Sequence, residues 1–389
     1  MLRFVTAGES HGPAVVAVLE GLPHGLPVDE AFINAELKRR QGGYGRGGRM
    51  RIETDTVEFL SGVRGGKTLG SPLTMVVHNK DERLEKAPKV TKVRPGHADL
   101  AGCLKYGLHD ARDVLERASA RETTARVMVG AMCSTFLRQF GIRVFGHVRA
   151  LGGIEVAAID TTLANLDAST KRRDASPFYT VDNSRDDAMK AAVEAAKAAG
   201  DTLGGLVEAL ALGLPPGIGN HTQWDRKLDG QLAQACMSVQ AIKAVEIGLG
   251  REAGARKGSE VHDPVVTDSN RADNPNNPSP YRRARNNAGG LEAGMTNGET
   301  LIVRATMKPI STLMEPLDTV DIETGKAAKA STERSDVCAV PAASVVIENA
   351  IAVVLAGTML EKFGSDSLDE TRRNFDAYLK TLGSYPPKP

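Results

Sequence analysis

Two histidines stand in glycine-containing turns that could present them to a ligand: His11 in Gly8-Glu9-Ser10-His11-Gly12 and His97 in Arg94-Pro95-Gly96-His97. Glycines beside a polar triplet let the backbone turn tightly and a ligand come close. An imidazole changes charge near neutral pH, so each can pass a proton to a departing oxyanion. Loop histidines serve structure more often than catalysis. Two of them, each next to a glycine, point to a proton donor at each end of one reaction.

The same stretches are rich in arginine. Arg39, Arg40, Arg46, Arg49 and Arg51 fall within thirteen residues on a glycine-rich support, and Arg282, Arg283 and Arg285 form a second group. Guanidinium forks grip phosphate and carboxylate bidentately and stay charged at every working pH. In Arg117-Ala118-Ser119-Ala120-Arg121-Glu122, Ser119 and Glu122 have capping-box spacing ahead of a helical pattern. That spacing predicts an anion site at a helix start, flanked by Arg117 and Arg121, with a plain helix cap as the equal alternative. Gln240-Ala241-Ile242-Lys243 is expected to end an apolar helix, where a buried amide could read a polar heterocycle. Lys308-Pro309-Ile310-Ser311-Thr312 offers a cation and two hydroxyls after a strand, suited to a cofactor phosphate or a carbonyl-rich ring. Arg334-Ser335-Asp336 precedes a further helix at 341–363.

Composition narrows the class. The chain has 389 residues, 41% hydrophobic and 25% charged, which is ordinary globular usage and enough length to bury a sizeable core. Cys103, Cys133, Cys236 and Cys338 are widely spaced, with no C-x-x-C pair and no histidine at metal-ligand spacing, so they read as reduced and buried and no metal is expected. A charged start followed by an apolar segment is absent, as is any run of about 18 apolar residues, and a cytoplasmic protein is expected. The competing reading is a nucleic-acid-binding protein that uses its arginine clusters as a phosphate track. A net charge of +1, and Tyr44 as the lone aromatic residue in the first cluster, argue against it.

The elements that must position these groups come in two related sets. An apolar run at 15–19 leads into Gly21-Leu22-Pro23-His24-Gly25-Leu26, and one at 207–212 leads into Gly213-Leu214-Pro215-Pro216-Gly217-Ile218. Residues 62–80 and 290–308 align without a gap and match at Gly62/Gly290, Gly66/Gly294, Thr68/Thr296, Gly70/Gly298, Leu73/Leu301 and Lys80/Lys308. Each ends in an apolar, β-branched run, 73–77 and 301–305, that reads as a strand. Gly21 and Gly62 are 41 residues apart but Gly213 and Gly290 are 77 apart, an excess of 36 that matches a stretch at 251–287 rich in Asn, Pro, Arg and Ser. We read that stretch as a long functional loop inserted in the second copy. The expected architecture is one domain, 1–389, of two similar halves, about 1–195 and 196–365, with helices at 121–140, 185–199 and 341–363.

Taken together, GESHG, RPGHAD, RASARET, QAIKAVEIG, KPIST and RSDVCAVPAA occur in the order seen in chorismate synthases, which the chain resembles over nearly its whole length. The resemblance implies an α+β fold, a β-α-β sandwich with an internal pseudo-twofold, assembled as a homotetramer. It implies a lyase that converts 5-enolpyruvylshikimate 3-phosphate to chorismate and phosphate in the shikimate pathway of aromatic amino-acid biosynthesis. That 1,4-anti elimination needs reduced FMN without net redox change. By the same resemblance His11 would protonate the leaving phosphate, His97 would sit near the flavin N1 edge, and Asp336 would assist proton handling at the flavin N5. Arg40, Arg46, Arg49, Arg94, Ser119, Arg121 and Arg334 would surround the substrate anions. Arg117, Ala118, Ser119, Gln240, Ala241, Ala293, Lys308, Pro309, Ile310, Ser311, Thr312 and Arg334 would contact flavin, and Arg40 and Arg46 are positions where the family places NADP. No flavin reductase segment is evident, so the reduced cofactor is expected from outside. The family usually carries glycine where this chain has Ala293. An alanine there is tolerable at negative φ and strained at positive φ.

Overall fold

The computed structural model describes residues 1–47, 54–158, 160–267, 273–333 and 336–385. Two antiparallel sheets enclose a layer of helices. The first sheet has the order β1 (Arg3–Ala7), β2 (Ala14–Glu20), β4 (Leu73–His78), β3 (Glu58–Ser61). The second runs β8 (Ile242–Ile247), β9 (Leu301–Met307), β7 (Gly205–Leu212), β5 (Arg143–Leu151), β6 (Ile154–Glu155). Between them lie α1 (Glu30–Gln41), α4 (Thr123–Arg138), α5 (Leu228–Met237) and α6 (Val340–Phe363), while α2 (Asp99–Tyr106) and α3 (Arg112–Ala118) belong to a smaller cluster beside the first sheet. α4 packs on β2 and β4, α6 packs on β5 and β7, and the two helices pack on each other, which makes the β-α-β sandwich.

Alternation explains the layering. Val15, Ala17 and Leu19 of β2 are buried against the helices, as are Val207, Ala209 and Ala211 of β7 and Val303 and Ala305 of β9. α6 is apolar almost all round because it has neighbours on every side. By length and composition it could cross a bilayer, yet 83% of its most apolar window is buried inside the fold. At the α4–α6 crossing Gly130 meets Asn349 so closely that a Cβ on Gly130 would lie 2.3 Å from the Asn349 Cβ. Gly130→Ala should therefore lower stability by about 1–3 kcal/mol through overpacking. Thermal unfolding checks this, and an unchanged Tm would mean that the helices separate without cost.

The sequence echoes occupy matching places. Leu19 of β2 pairs with Leu73 of β4, and the corresponding Ala211 of β7 pairs with Leu301 of β9. Thr68 Oγ1 donates to Pro23 O at 2.6 Å and accepts from Leu26 N at 3.0 Å; Thr296 Oγ1 donates to Pro215 O at 2.6 Å and accepts from Ile218 N at 2.9 Å. The matched glycine pairs Gly62/Gly290, Gly66/Gly294 and Gly70/Gly298 all have positive φ. We propose on this basis that the chain is one domain of two copies of a single unit. The inserted stretch is more structured than its composition suggested. It contains a short helix, Gly258–Val261, and strands Val265–Thr267 and Tyr281–Arg283, paired to each other and too short to show periodicity.

Candidate active site

The Gly8–Gly12 loop joins β1 to β2. Gly8 has φ +100°, and a Cβ there would lie 2.1 Å from Ala14 O, so this turn requires glycine. Its His11 is buried, with Nδ1 3.0 Å from both carboxylate oxygens of Glu116 in α3. Glu116 also accepts the His11 backbone N–H at 2.8 Å. Asn79, just after β4, donates to Gly12 O at 2.7 Å and accepts from Arg121 Nε at 2.8 Å, tying the loop to the residues before α4. Ser10 and Ser119 hydroxyls lie 3.2 Å apart.

Arg121 leads to a buried anion–cation group. Its Nη1 is 2.7 and 2.9 Å from the two oxygens of Asp55, and Arg40 Nη2 is 2.8 Å from Asp55 Oδ2. Burial pushes the Asp55 carboxyl up, but Arg40 and Arg121 outweigh it and hold the group below its ordinary range. Burial lowers the Arg40 guanidinium, Asp55 raises it in part and Arg121 lowers it again, leaving it at about 10 and charged at neutral pH. The Arg40 Nε is buried with no hydrogen-bond partner among the described residues. Arg46 pairs with Asp336 at 2.5 Å, and Gly47 N donates to Asp336 at 2.6 Å. Arg39 is held by Glu36 at 2.6 Å and Glu348 at 2.8 Å. These described arginines are turned inward and ion-paired, which is not the solvated track that a nucleic acid would need.

The second histidine has a matching frame. His97 Nδ1 is 2.5 Å from Asp99 Oδ1, and Arg94 Nε is 2.9 Å from Asp99 Oδ2. Burial pushes the Asp99 carboxyl up, yet the hydrogen bonds from His97 and Arg94 prevail and hold it well below the usual carboxylate range. Arg94 Nη1 donates to Thr312 Oγ1 at 3.1 Å, and Lys308 Nζ donates to Gly96 O at 2.7 Å, so the segment after β9 braces this turn. Burial, helped by Lys243, lowers the Lys308 ammonium.

Residues 240–241 join the two histidine regions. Gln240 Nε2 donates to Glu122 at 3.0 Å, next to Arg121, while Ala241 O accepts from Lys308 N at 2.9 Å. Gln240 Oε1 is buried without a partner among the described residues. Arg117 donates to Thr6 O at 2.8 Å and Gly8 O at 3.0 Å, fixing the start of the histidine loop, and Ala118 ends α3. Ile310 O accepts from Thr202 Oγ1 at 2.7 Å, and Pro309 and Ser311 complete the same segment.

Two local expectations are corrected. Ser119 caps a 3-10 turn, Ala120–Glu122, rather than α4, and Glu122 bonds Arg126, Thr6 and Gln240 instead of closing a capping box. Arg126 lies one turn on and competes successfully for that carboxylate. Gln240 does not end a helix, because α5 stops at Met237 and β8 starts at Ile242, with a register shift between Ile242 and Ala244 that breaks its alternation. Arg49, Arg51, Arg334 and Ser335 lie outside the described residues. Glu116, Asp55, Asn79 and Asp99 were not singled out from sequence. Asp99 could have been, since it sits two residues past His97; the others have partners tens of residues away.

Ala293 lies in the two-residue turn between Leu291–Glu292 and Met295–Thr296, with φ +51° beside Gly294 at +84°. Such a turn favours residues that accept positive φ, and the first copy has Gly65-Gly66 there, at φ +58° and +72°. A left-handed alanine costs roughly 1–2 kcal/mol, against about 0.4–1 kcal/mol of added chain entropy for glycine in the unfolded state. Ala293→Gly should thus stabilise the protein by about 0.5–1 kcal/mol, read as a small rise in denaturation midpoint at constant slope. A lower midpoint would count against strain at this turn.

Comparison with known proteins shows the family and the fold. The family described as chorismate synthase matches residues 2–360. Chorismate synthase of Geotalea daltonii is 51% identical over 99% of this chain and 100% of the relative, and that of Geobacter sulfurreducens is 51% identical with the same coverage. A solved structure titled as a crystal structure of chorismate synthase superposes with a TM-score of 0.80 at 42% identity, covering 99% of each chain.

Proposed function

Since this chain belongs to the chorismate synthase family and is accordingly a lyase of aromatic amino-acid biosynthesis, we propose that it eliminates phosphate from 5-enolpyruvylshikimate 3-phosphate in a 1,4-anti sense to give chorismate, with reduced FMN and no net redox change. One observation carries this reading: a buried imidazole, His11, shares a continuous hydrogen-bonded frame with the Arg121–Asp55–Arg40 group. The substrate has two carboxylates and a phosphate, roughly four negative charges, which a single guanidinium could not neutralise. Arg40, Arg46, Arg94 and Arg121, with Arg49 and Arg334, supply that charge, and Ser119 supplies a hydroxyl. His11 gives a proton to the departing phosphate, His97 holds a second transferable proton, and Asp336 receives or orients one.

The residues suit a flavin. The Gln240 Oε1, buried and without a partner among the described residues, is an acceptor for a ring N–H, and the Lys308 ammonium faces the same segment as His97. Gln240, Ala241, Lys308 with the following Pro309, Ile310, Ser311 and Thr312, and the Arg117-Ala118-Ser119 turn would hold it, with Arg334 and Ala293 from farther stretches. Bound in reduced form, FMN would supply electron density that eases C–O cleavage without net redox change. Arg40, 3% exposed and paired with Asp55, and Arg46 are also the positions we propose for NADP. By the family relationship we propose a cytoplasmic homotetramer fed by an external flavin reductant.

The test is an anaerobic assay of phosphate release from 5-enolpyruvylshikimate 3-phosphate with dithionite-reduced FMN. Stoichiometric phosphate and chorismate are expected only with reduced flavin. Absence of both, together with salt-sensitive retention of RNA or DNA, would return the nucleic-acid reading.

A further inference from the structure

Glu116 has no part in the reaction as described, yet its side chain is fully buried. Burying a carboxylate is costly unless its partners repay the lost hydration, so what it touches indicates why it is there. Its contacts with residue 11 number three: both oxygens reach Nδ1 at 3.0 Å and one accepts the backbone N–H at 2.8 Å. Its other described contact is Arg112 Nη1 at 3.2 Å, which is fixed in turn by Pro88 O at 3.1–3.2 Å and by Glu333 at 3.2 Å. A carboxylate on a braced helix therefore grips a histidine carried by a glycine-flanked loop.

We propose that Glu116 is a positioning residue that fixes His11 with its Nδ1–H directed at the carboxylate, so that the proton to be delivered resides on Nε2. This rests on the reading that His11 protonates the leaving phosphate. As the C–O bond breaks, its electron pair departs with the phosphate, the Nε2 proton moves to a phosphate oxygen, and the ring is left neutral with Nδ1–H still donated to Glu116. The carboxylate at Nδ1 fixes the orientation of the ring and selects the tautomer that keeps Nδ1–H donated to it. Among the described residues, the charged groups facing His11 are Glu116 and Arg112 on α3, with Glu333 behind Arg112, and Asp81 and Arg83 in the turn after β4, 3.7 and 3.2 Å from Nε2. Arg83 Nη2 can only donate, so its 3.2 Å contact with Nε2 fits the neutral ring left after transfer, with Nδ1–H on Glu116, and delivery of an Nε2 proton requires that contact to open. The same construction recurs at His97, whose Nδ1 meets a fully buried Asp99 braced by Arg94.

Glu116→Gln keeps shape and removes charge, so the experiment compares it with wild type, Glu116→Asp and His11→Ala. The readouts are kcat across pH and the ¹⁵N imidazole signals of His11. The expected result for Glu116→Gln is a loss of about 10-fold in kcat with KM little changed. The Nδ1–H tautomer should lose population, and Glu116→Asp should recover part of the rate. If His11→Ala is inactive while Glu116→Gln leaves both kcat and tautomer where they were, the positioning role is overturned and the donor reading stands. If His11→Ala turns over like wild type, the donor reading fails and takes this proposal with it.

Discussion

His11→Ala is expected to lower turnover by about 10²–10⁴-fold while the protein keeps its fold and its affinity for the anionic substrate. The size follows from where charge develops. Loss of phosphate concentrates negative charge on one oxygen, and an imidazolium at that oxygen stabilises the transition state far more than the ground state. Binding is carried by the guanidiniums, so KM should move little and kcat should take the loss. The fold should survive because Glu116 keeps Arg112 at 3.2 Å after the imidazole is gone, and Asn79 still bonds the backbone carbonyl of Gly12. His97→Ala should give a comparable loss through the other end of the reaction, since its Asp99 retains Arg94. Steady-state kinetics with matched thermal unfolding decides this. Near-normal kcat in both variants would remove the proton-donor assignment.

Much of this arrangement is legible in the sequence because it leaves a compositional mark. Turns that need positive φ select glycine, so the matched spacing of Gly62/Gly290, Gly66/Gly294 and Gly70/Gly298 marks equivalent turns before any coordinates are seen, which supports the proposed two copies of one unit. Strands and helices with one buried face keep their periodicity, and the helix expected at 121–140 differs from α4, Thr123–Arg138, only at its ends. What escapes the sequence is long-range pairing. Asp55 belongs to Arg40 and Arg121, 15 and 66 residues away, and Glu116 to His11, 105 residues away. A lone carboxylate carries no period or spacing that tells a solvated charge from a buried one. Local rules also lose where tertiary partners compete: the Glu122 side chain has capping spacing but is drawn to Arg126 and Gln240.

Asp55→Ala should be the most destabilising single change at the site, by about 3–5 kcal/mol, because it strips the shared counter-ion from two buried guanidiniums. Arg40 and Arg121 are 3% and 5% exposed, so neither can recover hydration without opening the fold. The loss should be partly reversed by millimolar inorganic phosphate, which can supply the missing negative charge to the native state alone. The pH dependence has a definite sign. The folded-state pKa of Asp55 is depressed, so its contribution is fully present above the unfolded value of about 4 and is lost as pH falls through the lower folded value. Wild type should therefore lose stability on acidification below that range, and Asp55→Asn, which has no such carboxylate, should lose less over the same interval. Denaturant melts at several pH values, with and without phosphate, measure all three effects. A variant that unfolds at the wild-type midpoint and ignores phosphate would falsify the view that Asp55 holds these arginines together until a polyanion arrives. That view also orders the events of binding: the guanidiniums are already desolvated and oriented before substrate enters, so the cost of assembling like charges is met by folding, and an anion finds a rigid cage.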